Sequence, residues 1–212
     1  TISSYYGCSV IGGGLFNTVS SYYQGSILGG DSNTVSGDYS GILAGRYNTA
    51  SSSYSTVLNG YNNSNAGSCS TILNGHNNTI IGAYSSTISN GYCNCIGSQF
   101  GNASGFSTIE NGCRNSIQSS SYSSVGGNAN VIWKDNVFHG GAWGDGASSI
   151  KGGQANFILG SNNTIAGGVG NYMGTSSQYT YTNIYNSNGN TVCVSGDITS
   201  QLKRGEEFLT YS

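Results

Sequence analysis

Trp133, Asp135, His139, Trp143 and Asp145 share one short stretch of a chain in which only 7% of residues are charged. That stretch holds both tryptophans and one of the two histidines. Flat indole faces stack on sugar rings, and nearby carboxylates accept hydrogen bonds from sugar hydroxyls. The chemistry expected of such a cluster is glycan or receptor contact. The same tryptophans also suit a structural task, plugging an irregular coil or a seam between chains.

Catalysis finds less support. Glycoside cleavage needs two carboxylates flanking one bond. Among the acids of the repeat region, Asp31, Asp38 and Glu110 are scattered, which leaves Asp135 and Asp145 as the one pair there with a prospect of meeting. No nucleophile motif surrounds His139, and His76 falls at an expected turn. The six cysteines, Cys8, Cys69, Cys93, Cys95, Cys113 and Cys193, are irregularly spaced. Cys93 and Cys95 lack the CxxC separation of a metal or redox pair. These cysteines are expected to fill slots taken elsewhere by Ser or Ala, a usage compatible with assembly in a reducing cytoplasm. The expectation is therefore no enzyme, no cofactor and no metal. Tyr22, Tyr23, Tyr39, Tyr54, Tyr61, Tyr84 and Tyr122 recur at or near lateral turns, where they suit either binding or packing between chains.

These residues must be positioned by a repeat. An apolar residue is followed by Gly three positions later, Asn three after that, and a second apolar residue two further on. Ten copies are read: Ile11-Gly14-Asn17-Val19, Ile27-Gly30-Asn33-Val35, Ile42-Gly45-Asn48-Ala50, Val57-Gly60-Asn63-Asn65, Ile72-Gly75-Asn78-Ile80, Ile88-Gly91-Asn94-Ile96, Ile109-Gly112-Asn115-Ile117, Ser124-Gly127-Asn130-Ile132, Ile150-Gly153-Asn156-Ile158 and Ile165-Gly168-Asn171-Met173. The usual step is 15 or 16 residues. So short a period, with β-branched residues and no helical pattern, predicts an all-β parallel β-solenoid of about 10–11 coils, close to 50 Å long.

Each coil reads as two short strands joined by turns. Asn-Gly and Gly-Gly pairs mark the corner, because Gly accepts a positive φ. The fixed Asn is expected to form a ladder along the rod. Ser9, Ser40, Ser55, Ser70, Ser86, Ser107 and Ser148 lie two residues before the apolar column and are expected to share its inward side. The period breaks twice: Gly91 to Gly112 spans 21 residues, with a bulge near Ser98–Gly105, and Gly127 to Gly153 spans 26, with the tryptophan cluster inside. Insertions of this kind usually leave a solenoid as lateral loops.

Residues 1–175 are thus read as the solenoid and 176–212 as a C-terminal cap or junction. In the latter, Tyr179–Tyr185 and Thr191–Val194 read as strands around an Asn188-Gly189 turn. The chain contains 35 Gly and no Pro, and its net charge is −2. No basic patch favours nucleic acid, and no apolar run reaches the ~18 residues of a membrane span. Because the chain begins in phase with its repeat, it is expected to be a piece of something longer. Sequons at Asn62, Asn77, Asn102 and Asn162 are unremarkable in so Asn- and Ser-rich a sequence.

The repeat Ser-Thr-Ile-x-x-Gly-x-x-Asn-x-Ile, as at Ser70–Ile80, resembles the head repeats of trimeric autotransporter (YadA-like) adhesins and the related repeats of bacteriophage and large-virus tail fibres and spikes. The resemblance covers about 165 of the 212 residues. It implies a left-handed parallel β-roll in which three chains pack around a common axis. The family's repeat is commonly a residue or so shorter and richer in Ala, and the Asn-Gly and Tyr-rich form here is more similar to the viral variant. The implied function is a fibre or spike segment of a virion, above all a phage tail fibre, partnered by itself as a homotrimer, by other virion tail proteins and by a host-surface glycan or protein. A C-terminal chaperone cleaved after Ser212 is a further implication. A bacterial surface adhesin is the alternative carrier. Two more alternatives come from the residues: an ice-binding solenoid, from the Thr18, Thr34, Thr49, Thr79 and Thr56, Thr71, Thr87, Thr108 columns, and a polysaccharide depolymerase tailspike, from Asp135 and Asp145.

Overall fold

Two parallel sheets face each other across a narrow core to which both contribute inward side chains. The computed structural model describes residues 1–97, 105–118, 120, 122–133, 148–160 and 163–173, with the backbone of strands Thr180–Thr182 and Cys193–Ser195. Each coil gives one strand to each sheet, and each strand pairs with its equivalent in the next coil. Among the described residues the first sheet has twelve strands and the second has ten, so the second makes nine coil-to-coil steps. Among the described residues there is no helix.

The strands are two to six residues long, and alternation decides their faces. In Thr71–Ile72, Thr87–Ile88 and Thr108–Ile109, the Thr faces outward and the Ile inward, paired Thr to Thr and Ile to Ile. β-Branched residues favour this extended, half-buried setting. The inward columns are Ile27, Ile42, Val57, Ile72, Ile88, Ile109, Val125, Ile150 and Ile165 from one sheet, and Val19, Val35, Ala50, Ile80, Ile96, Ile117, Ile132, Ile158 and Met173 from the other; none is more than 3% exposed. The Ser column is inward as expected, with Ser55, Ser70, Ser86 and Ser107 fully buried.

Two copies depart from the repeat as read. In the eighth, Val125 rather than Ser124 occupies the apolar position: Val125 pairs with Ile150 and is buried, while Ser124 pairs with Ser149 and faces outward. The span from apolar residue to Gly is one residue shorter there, which shifts the phase. In the fourth, Asn65 fills the core slot with its amide satisfied. Its Nδ2 donates to Thr56 O (3.0 Å) and Ser70 O (2.7 Å), and its Oδ1 accepts from Gly67 N (3.2 Å).

The Asn column is the internal staple of the rod. From Asn17 to Asn156, each Asn Nδ2 donates to the carbonyl of the next coil's corner Gly at 2.8–3.2 Å, as Asn33 does to Gly45 and Asn130 to Gly153. Each Oδ1 accepts the backbone N–H of the next coil's Asn, from Asn17 with Asn33 to Asn156 with Asn171. The ladder is mostly side chain to backbone; Asn63 to Asn48 and Asn171 to Asn156 add amide-to-amide bonds. Its register survives both insertions, since Asn115 N still reaches Asn94 Oδ1 and Asn156 N still reaches Asn130 Oδ1, at 3.0 and 2.9 Å. Of the first bulge, residues 98–104 lie outside the described residues, and Gly105 returns in bridge register with Tyr84.

Toward the C-terminus, Thr180–Thr182 continues the first sheet, with Thr164 paired to Thr180 and Ile165 to Tyr181. Cys193–Ser195 then pairs antiparallel with it. The Asn188-Gly189 turn lies outside the described residues.

Candidate functional site

With the inward columns filled, the described residues offer function on the outer faces and lateral turns. The outward positions of the second sheet carry the tryptophan singled out by sequence. Trp133 ends strand Val131–Trp133, in register with Gln118 of the preceding coil and Leu159 of the following one. It is 40% exposed. Asp135, His139, Trp143 and Asp145 lie outside the described residues.

Register gives Trp133 neighbours that the sequence reading did not name. Val131 pairs with Phe157, and Phe157 pairs with Tyr172. The Phe157 and Tyr172 rings stack with centroids 5.3 Å apart. Val131, Trp133, Phe157, Leu159 and Tyr172 therefore share one outer face over three consecutive coils. The signal was present: these are the alternate positions flanking the buried Ile132, Ile158 and Met173.

The first sheet carries a second apolar feature. Leu28, Leu43, Leu58 and Leu73 each follow a buried Ile or Val, so they stand on the outer face in one row, 55, 47, 37 and 37% exposed. Four successive Ile-Leu or Val-Leu pairs in the sequence announce the row. Farther along it come Ser89, Glu110, Gly126 and Lys151.

On the lateral turns the tyrosines stack on one another. Tyr23, Tyr39 and Tyr54 form a continuous pile at 5.5 and 5.2 Å, and Tyr5 stacks on Tyr22 at 5.5 Å. Phe106 and Tyr122 form another stack at 5.0 Å. Rings inside a pile spend their faces on each other and show solvent their edges and hydroxyls. Stacking against a sugar needs a free face, so the pile favours packing over glycan binding. The opposite turn carries Tyr61, His76 and Tyr92, in contact edge to face at 4.7 and 5.2 Å. His76 is exposed there, as expected.

Charge is sparse, and three of the described charged side chains, Asp31, Asp38 and Arg46, are engaged locally. Asp31 pairs with Arg46 at 2.9 Å, and Arg46 also lies over the Tyr47 ring at 4.6 Å. Asp38 accepts the Tyr23 backbone N–H. Glu110 stands on the other sheet from Trp133. Among the described residues no cluster of His, Cys, Asp and Glu is arranged to hold a metal ion. Among the described residues, two groups titrate above their ordinary range. A hydrogen bond with the Cys93 side chain raises the Tyr92 phenol, and burial raises the Cys95 thiol.

The Thr columns are in register, Thr18 with Thr34 and Thr34 with Thr49, and Thr56 with Thr71 and Thr71 with Thr87. They stand on opposite faces of the rod, and the first is interrupted by Ser64, Cys95, Ser116 and Val131.

No family model, no curated protein and no solved structure shows significant similarity to this chain.

Proposed function

We propose that the chain is a fibre or spike segment of a virion, in the first instance a bacteriophage tail fibre, that packs in parallel with two further copies of itself and displays a surface for host attachment. The observation that carries this reading is the Leu28, Leu43, Leu58 and Leu73 row. A rod whose inward columns are filled and whose Asn ladder runs unbroken from Asn17 to Asn171 has no internal use for a line of exposed leucines, and burying it gains about 25 cal/mol per Å² of apolar surface. A second copy in the same register presents leucines at matching heights. Three-fold closure around that row leaves the Trp133 face outward, available to a host glycan or protein. A bacterial trimeric surface adhesin uses the same geometry on a different carrier.

Light scattering on the purified chain, with an unheated SDS gel, tests the assembly. Three chain masses and an SDS-resistant band are expected. A monomer that keeps its β spectrum at micromolar concentration would overturn the fibre reading. A glycan screen of the assembled rod then tests attachment, with Trp133→Ala expected to lose binding at unchanged mass.

A further inference from the structure

Two thiols flank the first insertion, one on the coil that carries it and one on the next. Cys93 occupies the left-handed turn position just before the ladder residue Asn94, with φ 54°. Cys113 lies one coil further on, in bridge register with Tyr92. It therefore stacks on the residue beside Cys93, and the two cysteines stand one coil and one column apart. With coils about 4.8 Å apart and successive Cα atoms about 3.8 Å apart, their Cα atoms are about 6 Å from each other, inside the span that a disulfide bridges.

Side chains already meet along this diagonal elsewhere in the rod. Tyr47 precedes Asn48 as Cys93 precedes Asn94, and Tyr61 follows in the next coil's bridge column as Cys113 does; their rings lie 5.7 Å apart. Tyr92, between the two cysteines, turns its ring toward His76 of the preceding coil, at 5.2 Å. Both cysteines are reduced and partly exposed, and the Cys93 side chain hydrogen-bonds the Tyr92 hydroxyl. Cys95, nearer to Cys93 in sequence, belongs instead to the outward row of the second sheet between Thr79 and Ser116.

We propose that Cys93 and Cys113 are a cross-linking site, closing to a coil-to-coil disulfide when a low-molecular-weight disulfide such as oxidised glutathione is present. One cysteine thiolate attacks the glutathione disulfide and expels one glutathione thiolate. The other thiolate then attacks the protein sulfur of that mixed disulfide and expels the second. Two protein thiols are oxidised to one disulfide, one glutathione disulfide is reduced to two thiols, and the two protons finish on the glutathiones. The bond clasps the coil at the foot of its insertion, with residues 98–104 inside the closed loop.

The test is non-reducing peptide mapping of the whole chain after incubation with oxidised glutathione. The expected product is a linked Cys93–Cys113 peptide lighter by two hydrogens. Thermal unfolding should shift up by a few degrees, reversibly with a reducing thiol, and the shift should be absent in Cys93→Ser and Cys113→Ser. Stable glutathione adducts on both residues, or a Cys93–Cys95 or inter-chain link in their place, overturn the proposal from the wild-type chain alone.

Discussion

At the scale of the residue, the fold rests on a side chain that neither hydrophobicity nor charge would single out. Asn78 is fully buried and makes three bonds, donating to Asn74 O and Gly91 O and accepting from Asn94 N. Asn78→Ala strands those groups in the interior, and the expected loss is about 3 kcal/mol in chemical denaturation. Gly75→Ala strikes the same joint, because a Cβ there collides with the Gly91 carbonyl and Asn78 Nδ2 at a φ of +112°. The residue before each Asn is also left-handed, and Ala155, exposed with φ 54°, brings only a methyl group to that position. Ala155→Gly is expected to stabilise the chain by about 1 kcal/mol in the same assay. Tyr54 adopts this conformation on the other turn, but its ring stacks on Tyr39, so Tyr54→Gly exchanges one gain for one loss. Burial raises the Cys95 thiol above its ordinary value of 9.0. The unfolded chain then ionises first as the medium becomes alkaline. Stability from this site is intact below about pH 9 and falls as pH rises through the folded-state value. Cys95→Ser is expected to flatten that alkaline decline in a pH series of melts.

At the scale of the element, strands of two residues have no intrinsic persistence and exist because neighbours stack. Truncating a central rung should therefore cost more than its methyl groups. Ile96→Ala, between Ile80 and Ile117, is expected to lose about 4 kcal/mol in denaturant melts, the upper part of the range for such changes. This dependence on register explains what the sequence revealed and what it hid. Fixed spacing named the coil, its corner Gly, its inward Ile and Ser and its Asn ladder. It missed Val125, because a one-residue contraction before Gly127 moved the phase while the Gly and Asn stayed in place. It also missed the Trp133 neighbours, which are contiguous only through pairing across 15 to 26 residues. The carboxylates and His139 of the proposed attachment cluster belong to an insertion with no period, so no spacing rule assigns them positions.

At the scale of the whole molecule, apolar surface is segregated. One sheet carries leucines in the early coils, and the other carries aromatic residues in the late ones. Leu58→Glu places a carboxylate mid-row and is expected to reduce the native mass from three chains to one while the β spectrum is kept; an unchanged trimer would move the assembly face elsewhere. The direction of the ladder has a mechanical consequence. Among the described residues, the backbone and Asn bonds that join one coil to the next run along the long axis and link adjacent coils. A tether pulling on the ends would load these bonds one layer at a time. Each ruptured layer would release some 15 residues, about 50 Å of contour, for the ~4.8 Å of stack it gives up. Such a rod would yield in even steps under tension, absorbing work at each, where a globular domain of equal size gives way at once.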